Sequence, residues 1–205
     1  MVKEFLQYDA VRNDALKLAY KMFKDDGFVP DVIYCSLRGG AYMANVISEF
    51  YKLVNTGHHP VLYAAVVARS YSGVRESSPR VYVDGWTYPP ANLRPGDRIM
   101  LVDDIFDTGN TINALVNVLL QDYGVPRENI KVVVHDYKCF TYKKMQPIQP
   151  DYWCRRFTIT SPEEDLWIHY MSHELVGLSN TELEENYYKQ DPELKKILTD
   201  IMGNK

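Results

Sequence analysis

The run Ile99-Met100-Leu101-Val102-Asp103-Asp104-Ile105-Phe106-Asp107-Thr108-Gly109-Asn110-Thr111 changes character abruptly. Four apolar residues lead into two adjacent acids, and a third acid opens a Thr-Gly-Asn-Thr turn. An amphipathic stretch follows at once, with Ile112, Leu115, Val116, Leu119 and Leu120 on one helical face and a stop near Gly124. The order is strand, acidic tip, turn, helix N-terminus. Gly109 lets backbone approach a ligand, and consecutive N–H groups at a helix start suit a phosphate. The hydroxyls of Thr108 and Thr111 add donors. Asp and Thr also cap helices, but one acid suffices for a cap. Three acids in five residues repel one another and call for a cation, a metal or a polyol nearby. A phosphorylated sugar meets that demand.

The flanking segments repeat the alternation of strand and helix. Residues 9–24 have helical spacing through Ala15, Leu18, Ala19, Met22 and Phe23, with Gly27 as the stop. Residues 31–37 read as a buried strand, Arg38-Gly39-Gly40 as a turn and 41–54 as a helix. Further strands are expected at 61–68, 98–103 and 130–137, with shorter ones near 151–154 and 166–170. Residues 72–96, rich in Gly, Ser and Pro, form a long excursion with a hairpin at 80–88. Asp191-Pro192 starts a last helix. Apolar strands alternating with helices imply an α/β fold, a mainly parallel twisted sheet covered on both faces. Ligands in such sheets bind beyond the carboxyl ends of the strands, where residues 38–40 and 103–111 both lie.

The totals narrow the class. A chain of 205 residues with 46% hydrophobic and 24% charged residues is one ordinary globular domain, with at most a small appendage. A net charge of −4 and a pI near 5.7 argue against a general nucleic-acid or membrane-surface binder. No apolar run approaches a membrane span, and Met1-Val2-Lys3-Glu4 has no signal-peptide core. Cys35, Cys139 and Cys154 are widely spaced and read as reduced core cysteines of a cytoplasmic protein.

Leu101–Thr111 closely resembles the phosphoribosyl pyrophosphate signature of the type I phosphoribosyltransferases, and the rest of the chain agrees from about residue 30 to 175. Ser36-Leu37-Arg38-Gly39-Gly40 resembles the family's pyrophosphate loop, Arg69-Ser70-Tyr71 the opening of its mobile lid. Lys138 resembles the purine-reading lysine of the 6-oxopurine branch. Pro150-Asp151-Tyr152 and Trp167-Ile168 resemble its purine-side segment. The resemblance implies a phosphoribosyltransferase domain over 1–178, with a purine-side hood built mainly from 143–175 and a helical C-terminal extension over 179–205. It also implies purine salvage: Mg²⁺-dependent transfer of phosphoribosyl from phosphoribosyl pyrophosphate to N9 of hypoxanthine, guanine or xanthine. Relatives are usually homodimers or homotetramers.

Implied roles follow residue by residue. Asp103 and Asp104 would hold the ribose hydroxyls, directly or through Mg²⁺ and its water; carboxylates are acceptor-only, and Mg²⁺ prefers substrate oxygens and water to a protein cage. The turn Asp107, Thr108, Gly109, Asn110 and Thr111 would bind the 5′-phosphate. Leu37, Arg38, Gly39 and Gly40 would bind pyrophosphate, with a cis peptide expected at Leu37-Arg38. Arg69, Ser70 and Tyr71 would belong to a lid over 69–96, kept flexible by Gly73, Ser77 and Ser78. Lys138 would donate to O6 of the base, Trp167 would stack on it and Ile168 would offer its backbone. Asp107 would also take the N7 proton as general base.

Departures from the family pattern matter too. Asn110 stands where many relatives carry Lys, and no arginine follows Trp167 closely; Arg155 and Arg156 precede it without an assigned role. Tyr170, His173 and Glu174 are candidates near the purine C2 edge. His169 and His173 are not expected to hold a metal, since a spacing of four does not converge on a strand. His58-His59 is read as a solvated loop, and Glu182, Glu184 and Glu185 as an acidic helix start. Trp86, Tyr88, Pro89 and Pro90 are read as a subunit contact or lid packing. Two other functions stay open: a pyrimidine acceptor with the same donor, or a regulator that senses phosphoribosyl pyrophosphate without catalysis.

Overall fold

The computed structural model describes residues 3–55, 59–71, 80–172, 174–175, 177–189 and 191–203. Eight strands are described: β1 (Lys3–Leu6), β2 (Val32–Leu37), β3 (Leu62–Tyr71), β4 (Arg80–Trp86), β5 (Ile99–Phe106), β6 (Ile130–Phe140), β7 (Tyr152–Ile159) and β8 (Trp167–Tyr170). The main helices are α1 (Tyr8–Asp26), α2 (Ala41–Val54) and α3 (Asn110–Gln121). Beyond β8 come α4 (Asn180–Leu183), a π-helical turn at Glu184–Tyr188, and α5 (Pro192–Gly203).

Six strands form one twisted sheet in the order β4-β3-β2-β5-β6-β7. All neighbours are parallel except β4, which returns antiparallel along β3; residues 80–86 are thus one strand paired with β3 rather than a hairpin of their own. The central strands are apolar on both faces because both faces are covered. On one side α1 and α2 bury Ala15, Met22, Met43 and Ile47 against Ile33, Met100 and Val133. On the other, α3 buries Ile112, Leu115, Val116 and Leu119 against Leu101, Val132 and Val134. Helix α1 stops where expected, at Gly27, whose φ of +58° is left-handed.

Several elements differ from the expectation. Strand β5 runs on to Phe106, so Asp103 and Asp104 lie within its last turns of pleat rather than past its tip. Strand β6 continues to Phe140, which places Lys138 inside a strand. Trp86 stacks edge-on against Tyr34 at 4.7 Å, and the Tyr34 hydroxyl donates to the Tyr88 carbonyl at 2.9 Å. Both Trp86 and Tyr88 are partly buried and pack on the α3-side core. The first residues had no assigned structure, yet β1 pairs in parallel with β8, Lys3 opposite Trp167. A strand of four residues carries too little periodicity to be read alone; only its partner from the far end of the chain makes it a strand. Among the described residues, no helix is long and apolar enough to cross a membrane.

Candidate functional site

The adjacent parallel strands β2 and β5 end side by side, which sets the loop after β2 on top of the acid pair. The Leu37-Arg38 peptide is cis, as the sequence resemblance implied. Gly39 sits so close to β5 that a Cβ there would lie 2.3 Å from the Asp104 carboxyl. A Cβ on Gly40 would lie 2.3 Å from the Val102 carbonyl oxygen. Any side chain at either position would therefore push the Arg38–Gly40 loop off the acids.

The acids themselves are electrostatically uncomfortable. Asp103 is 8% exposed, and burial together with the neighbouring Asp104 pushes its carboxyl well above the usual carboxylate range, with the Ser36 hydroxyl working the other way. The Asp104 main-chain N–H donates to Asp103 Oδ1 at 3.1 Å, and the Ile105 N–H donates to Asp104 Oδ1 at 2.8 Å. The two carboxyls are thus fixed by their own backbone before any ligand arrives.

The following turn is equally constrained. Gly109 has φ +80°, and a Cβ there would strike the Phe106 ring at 2.3 Å. Asn113 donates to the carbonyls of Gly109 at 2.9 Å and Ile148 at 2.8 Å, and accepts from the Ile148 N–H at 3.0 Å. Asn110 Oδ1 accepts from Gln146 at 2.6 Å. The turn is thereby braced against the 143–150 loop. Asp103, Asp104, Asp107 and Thr108–Ile112 line a concavity of about 220 Å³ at the start of α3.

Lys138 approaches this concavity from β6. It is 4% exposed, and its Nζ donates to Asp165 Oδ1 and to the Leu166 carbonyl, each at 2.7 Å. Asp107 Oδ2 lies 4.0 Å from the same nitrogen. An ammonium has three donors, so one is left after Asp165 and Leu166. Asp107 Oδ1 is buried and, among the described residues, has no hydrogen-bond partner. A buried acceptor in that condition is costly unless a ligand completes it.

Trp167 is half exposed and stands on a different wall. With Arg38, Lys3, His169, Glu174, Leu175 and Gly177 it lines a cavity of about 680 Å³ between the β2–α2 loop and the β1–β8 pair. Ile168 turns its side chain into the core. Tyr170 is a correction: its ring is buried, and its hydroxyl reaches Asp136 and the Asp104 carbonyl, so it does not face a purine edge. Glu174 lies in the Trp167 cavity and takes the Tyr170 N–H at 3.1 Å. The backbone of Arg69–Tyr71 lies at the end of β3. Residues 72–79 of the expected lid, with Gly73, Ser77 and Ser78, lie outside the described residues, as do His58 and His173.

A model of the phosphoribosyl transferase domain matches residues 1–169. The chain belongs to the phosphoribosyl transferase family. Among solved structures of similar fold, the purine phosphoribosyltransferase of Pyrococcus horikoshii Ot3 is 20% identical, with a TM-score of 0.62 over 88% of this chain and 100% of that one. The xanthine-guanine-hypoxanthine phosphoribosyltransferase of Helicobacter pylori is 16% identical, with a TM-score of 0.56 over 83% of this chain and 91% of that one. A hypoxanthine phosphoribosyltransferase of Staphylococcus aureus is 20% identical, with a TM-score of 0.56 over 75% and 76% of the two chains. No curated protein matches the sequence. As a phosphoribosyl transferase family member, the chain carries the family's parallel sheet with the acid pair at the end of its central strand.

Two contacts around these residues were not read from sequence. Asp165 is the ion-pair partner of Lys138 across 27 positions, and an isolated Asp before a short strand gives no signal of that. The buried Asp136–Arg155 pair was equally silent, although an acid in the apolar run 130–137 was a detectable anomaly.

Proposed function

We propose that this protein transfers 5-phosphoribosyl from phosphoribosyl pyrophosphate to N9 of a 6-oxopurine, releasing pyrophosphate. The observation that carries the reading is the convergence of Asp107 and Lys138. Asp107 Oδ2 stands 4.0 Å from an ammonium with one donor left, and Oδ1 of the same carboxylate is buried without a hydrogen-bond partner among the described residues.

A 6-oxopurine presents N7 and O6 side by side. Lys138 donates to O6, and the Asp107 carboxylate accepts the N7 proton as N9 attacks ribose C1′. The C1′–N9 bond forms as the C1′–oxygen bond to pyrophosphate breaks, and the electron pair leaves with pyrophosphate. Adenine sets its 6-amino donor against the Lys138 donor and leaves both unpaired, which disfavours it. Asp103 and Asp104 accept from the ribose hydroxyls. The N–H groups at the start of α3 and the hydroxyls of Thr108 and Thr111 hold the 5′-phosphate. Arg38 and the Gly39–Gly40 backbone hold the departing pyrophosphate, and Trp167 covers the base from the adjoining cavity.

The residues present fit Mg²⁺. Two carboxyls, one of them buried against the other, gain from a cation, and two protein carboxylates suit an ion held mainly by substrate oxygens and water. When bound, the ion supplies charge that stabilises the leaving pyrophosphate.

Incubation with Mg²⁺, phosphoribosyl pyrophosphate and hypoxanthine, guanine, xanthine, adenine, orotate or uracil tests the reading. Pyrophosphate release is expected with at least one oxopurine and not with adenine. Release with orotate or uracil alone, or with no base, would reject it.

A further inference from the structure

Tyr170 stands three residues after Trp167, and its hydroxyl lies 2.5 Å from Asp136 Oδ2 and 3.1 Å from the main-chain oxygen of Asp104. Asp136 lies two residues before Lys138 on β6 and is fully buried. Arg155 Nε on β7 donates to Asp136 Oδ1 at 2.6 Å, and His135 Nδ1 lies 2.9 Å from Oδ2. Arg155 also pairs with Glu4 on β1. One buried carboxylate therefore ties together the strands that carry Asp104, Lys138 and Trp167, together with the strand that flanks Trp167.

We propose that Tyr170 and Asp136 are positioning residues, which fix the ribose-holding strand against the base-reading strand and the Trp167 wall. The proposal rests on the phosphoribosyl-transfer reading above. A buried carboxylate is costly without donors, and a buried ion pair stabilises a fold little more than apolar packing would. What such a pair supplies is geometry. The phenol carries a single proton between two acceptors on different strands, so a shift of the Asp104 main chain relative to β6 is felt at once by the Asp136 contact. Burial and the adjacent Asp136 push the Tyr170 phenol well above its usual range, so that proton stays in place. Tyr170 itself touches neither half of the substrate pair in this reading and acts through Asp104 and Asp136.

Tyr170→Phe keeps the ring and removes the hydroxyl. Calorimetric binding of Mg²⁺–phosphoribosyl pyrophosphate and steady-state kinetics with the preferred oxopurine are measured on the full chain, alongside thermal melting. The donor Kd and the base KM are expected to rise about tenfold, with Asp136→Asn giving the same pattern. Unchanged donor Kd and base KM, with only a lower melting temperature, would make the network a purely structural one and overturn the proposal. Should Tyr170→Phe not fold, Arg155→Lys, which keeps the charge but loses the planar fork, is read by the same criteria. If the wild type binds the donor but transfers to no base, the proposed reaction fails while the donor Kd comparison still decides the positioning role. A wild type that binds no donor overturns both.

Discussion

The two halves of the site are built in opposite ways. The proposed sugar-and-phosphate half comes from one unbroken stretch, Asp103 to Thr111, at the end of a central strand, with the Arg38–Gly40 loop brought in beside it. The proposed base half is assembled from Lys138 on β6, Asp165 before β8, and Trp167 on a two-stranded pair whose strands lie more than 150 residues apart. The first half is fixed by local backbone geometry and close steric contact. The second depends on long-range pairing and on a buried ion pair. Damage to the first should therefore abolish the donor chemistry, whereas damage to the second should spare the donor and change the acceptor.

The largest effect is expected at the residue the two halves share. Asp107→Asn keeps the shape of the turn but removes the base, and turnover should fall by about 10²–10⁴ with donor affinity nearly intact. Near-normal turnover in a pyrophosphate-release assay would remove Asp107 from the proton transfer. Next comes a steric break of the sugar half. Gly39→Ala places a methyl where the Asp104 carboxyl now lies, and the repacking should weaken donor binding by roughly ten- to a hundredfold. Calorimetry that finds unchanged donor affinity would show that the loop and acids need not be in contact.

Lys138→Ala addresses the base half alone. It should raise the oxopurine KM by about ten- to a hundredfold while the donor Kd moves little. Equal losses for both substrates would erase the distinction between the halves. The smallest effect concerns stability. Asp103 has its folded-state pKa raised by burial and by Asp104, so its ionisation disfavours the folded state as pH rises. Asp103→Asn should therefore raise the melting temperature of the ligand-free protein at neutral pH. That gain should shrink as the pH falls through the raised folded pKa, and vanish below the unfolded value of about 3.9. A gain that persists at low pH would mean that burial is not the source of the shift.

The legibility of the site follows the same division. The stretch 99–111 was readable because strand, acids, Gly turn and helix start are adjacent, so their spacing alone states the chemistry. Gly39 and Gly40 were readable as a loop, but the reason for them, contact with Asp104 and Val102, exists only across strands. Lys138 was recognised by resemblance, yet its two tethers were not. Tyr170 was misplaced because its position after Trp167 suggested the base, whereas the pleat of β8 turns it inward to Asp136. The packing of Trp86 and Tyr88 on the α3-side core was silent for a similar reason: in a Gly- and Pro-rich excursion nothing marks that contact until β4 folds back along β3.

Periodicity and composition by themselves determined an α/β chain with a phosphate-sized turn at the end of a central strand, because strand and helix periods and turn chemistry are local properties. Resemblance added the family, which the match over residues 1–169 bears out. Only the tertiary structure decided that Asp107 Oδ1 is buried without a hydrogen-bond partner among the described residues, that Asp165 and Leu166 occupy two donors of Lys138, and that Lys3 and Trp167 stand side by side. Those facts are properties of burial and of pairing between distant strands. A one-dimensional pattern cannot carry them, since the cost of a buried polar atom appears only when the surrounding chain has closed over it.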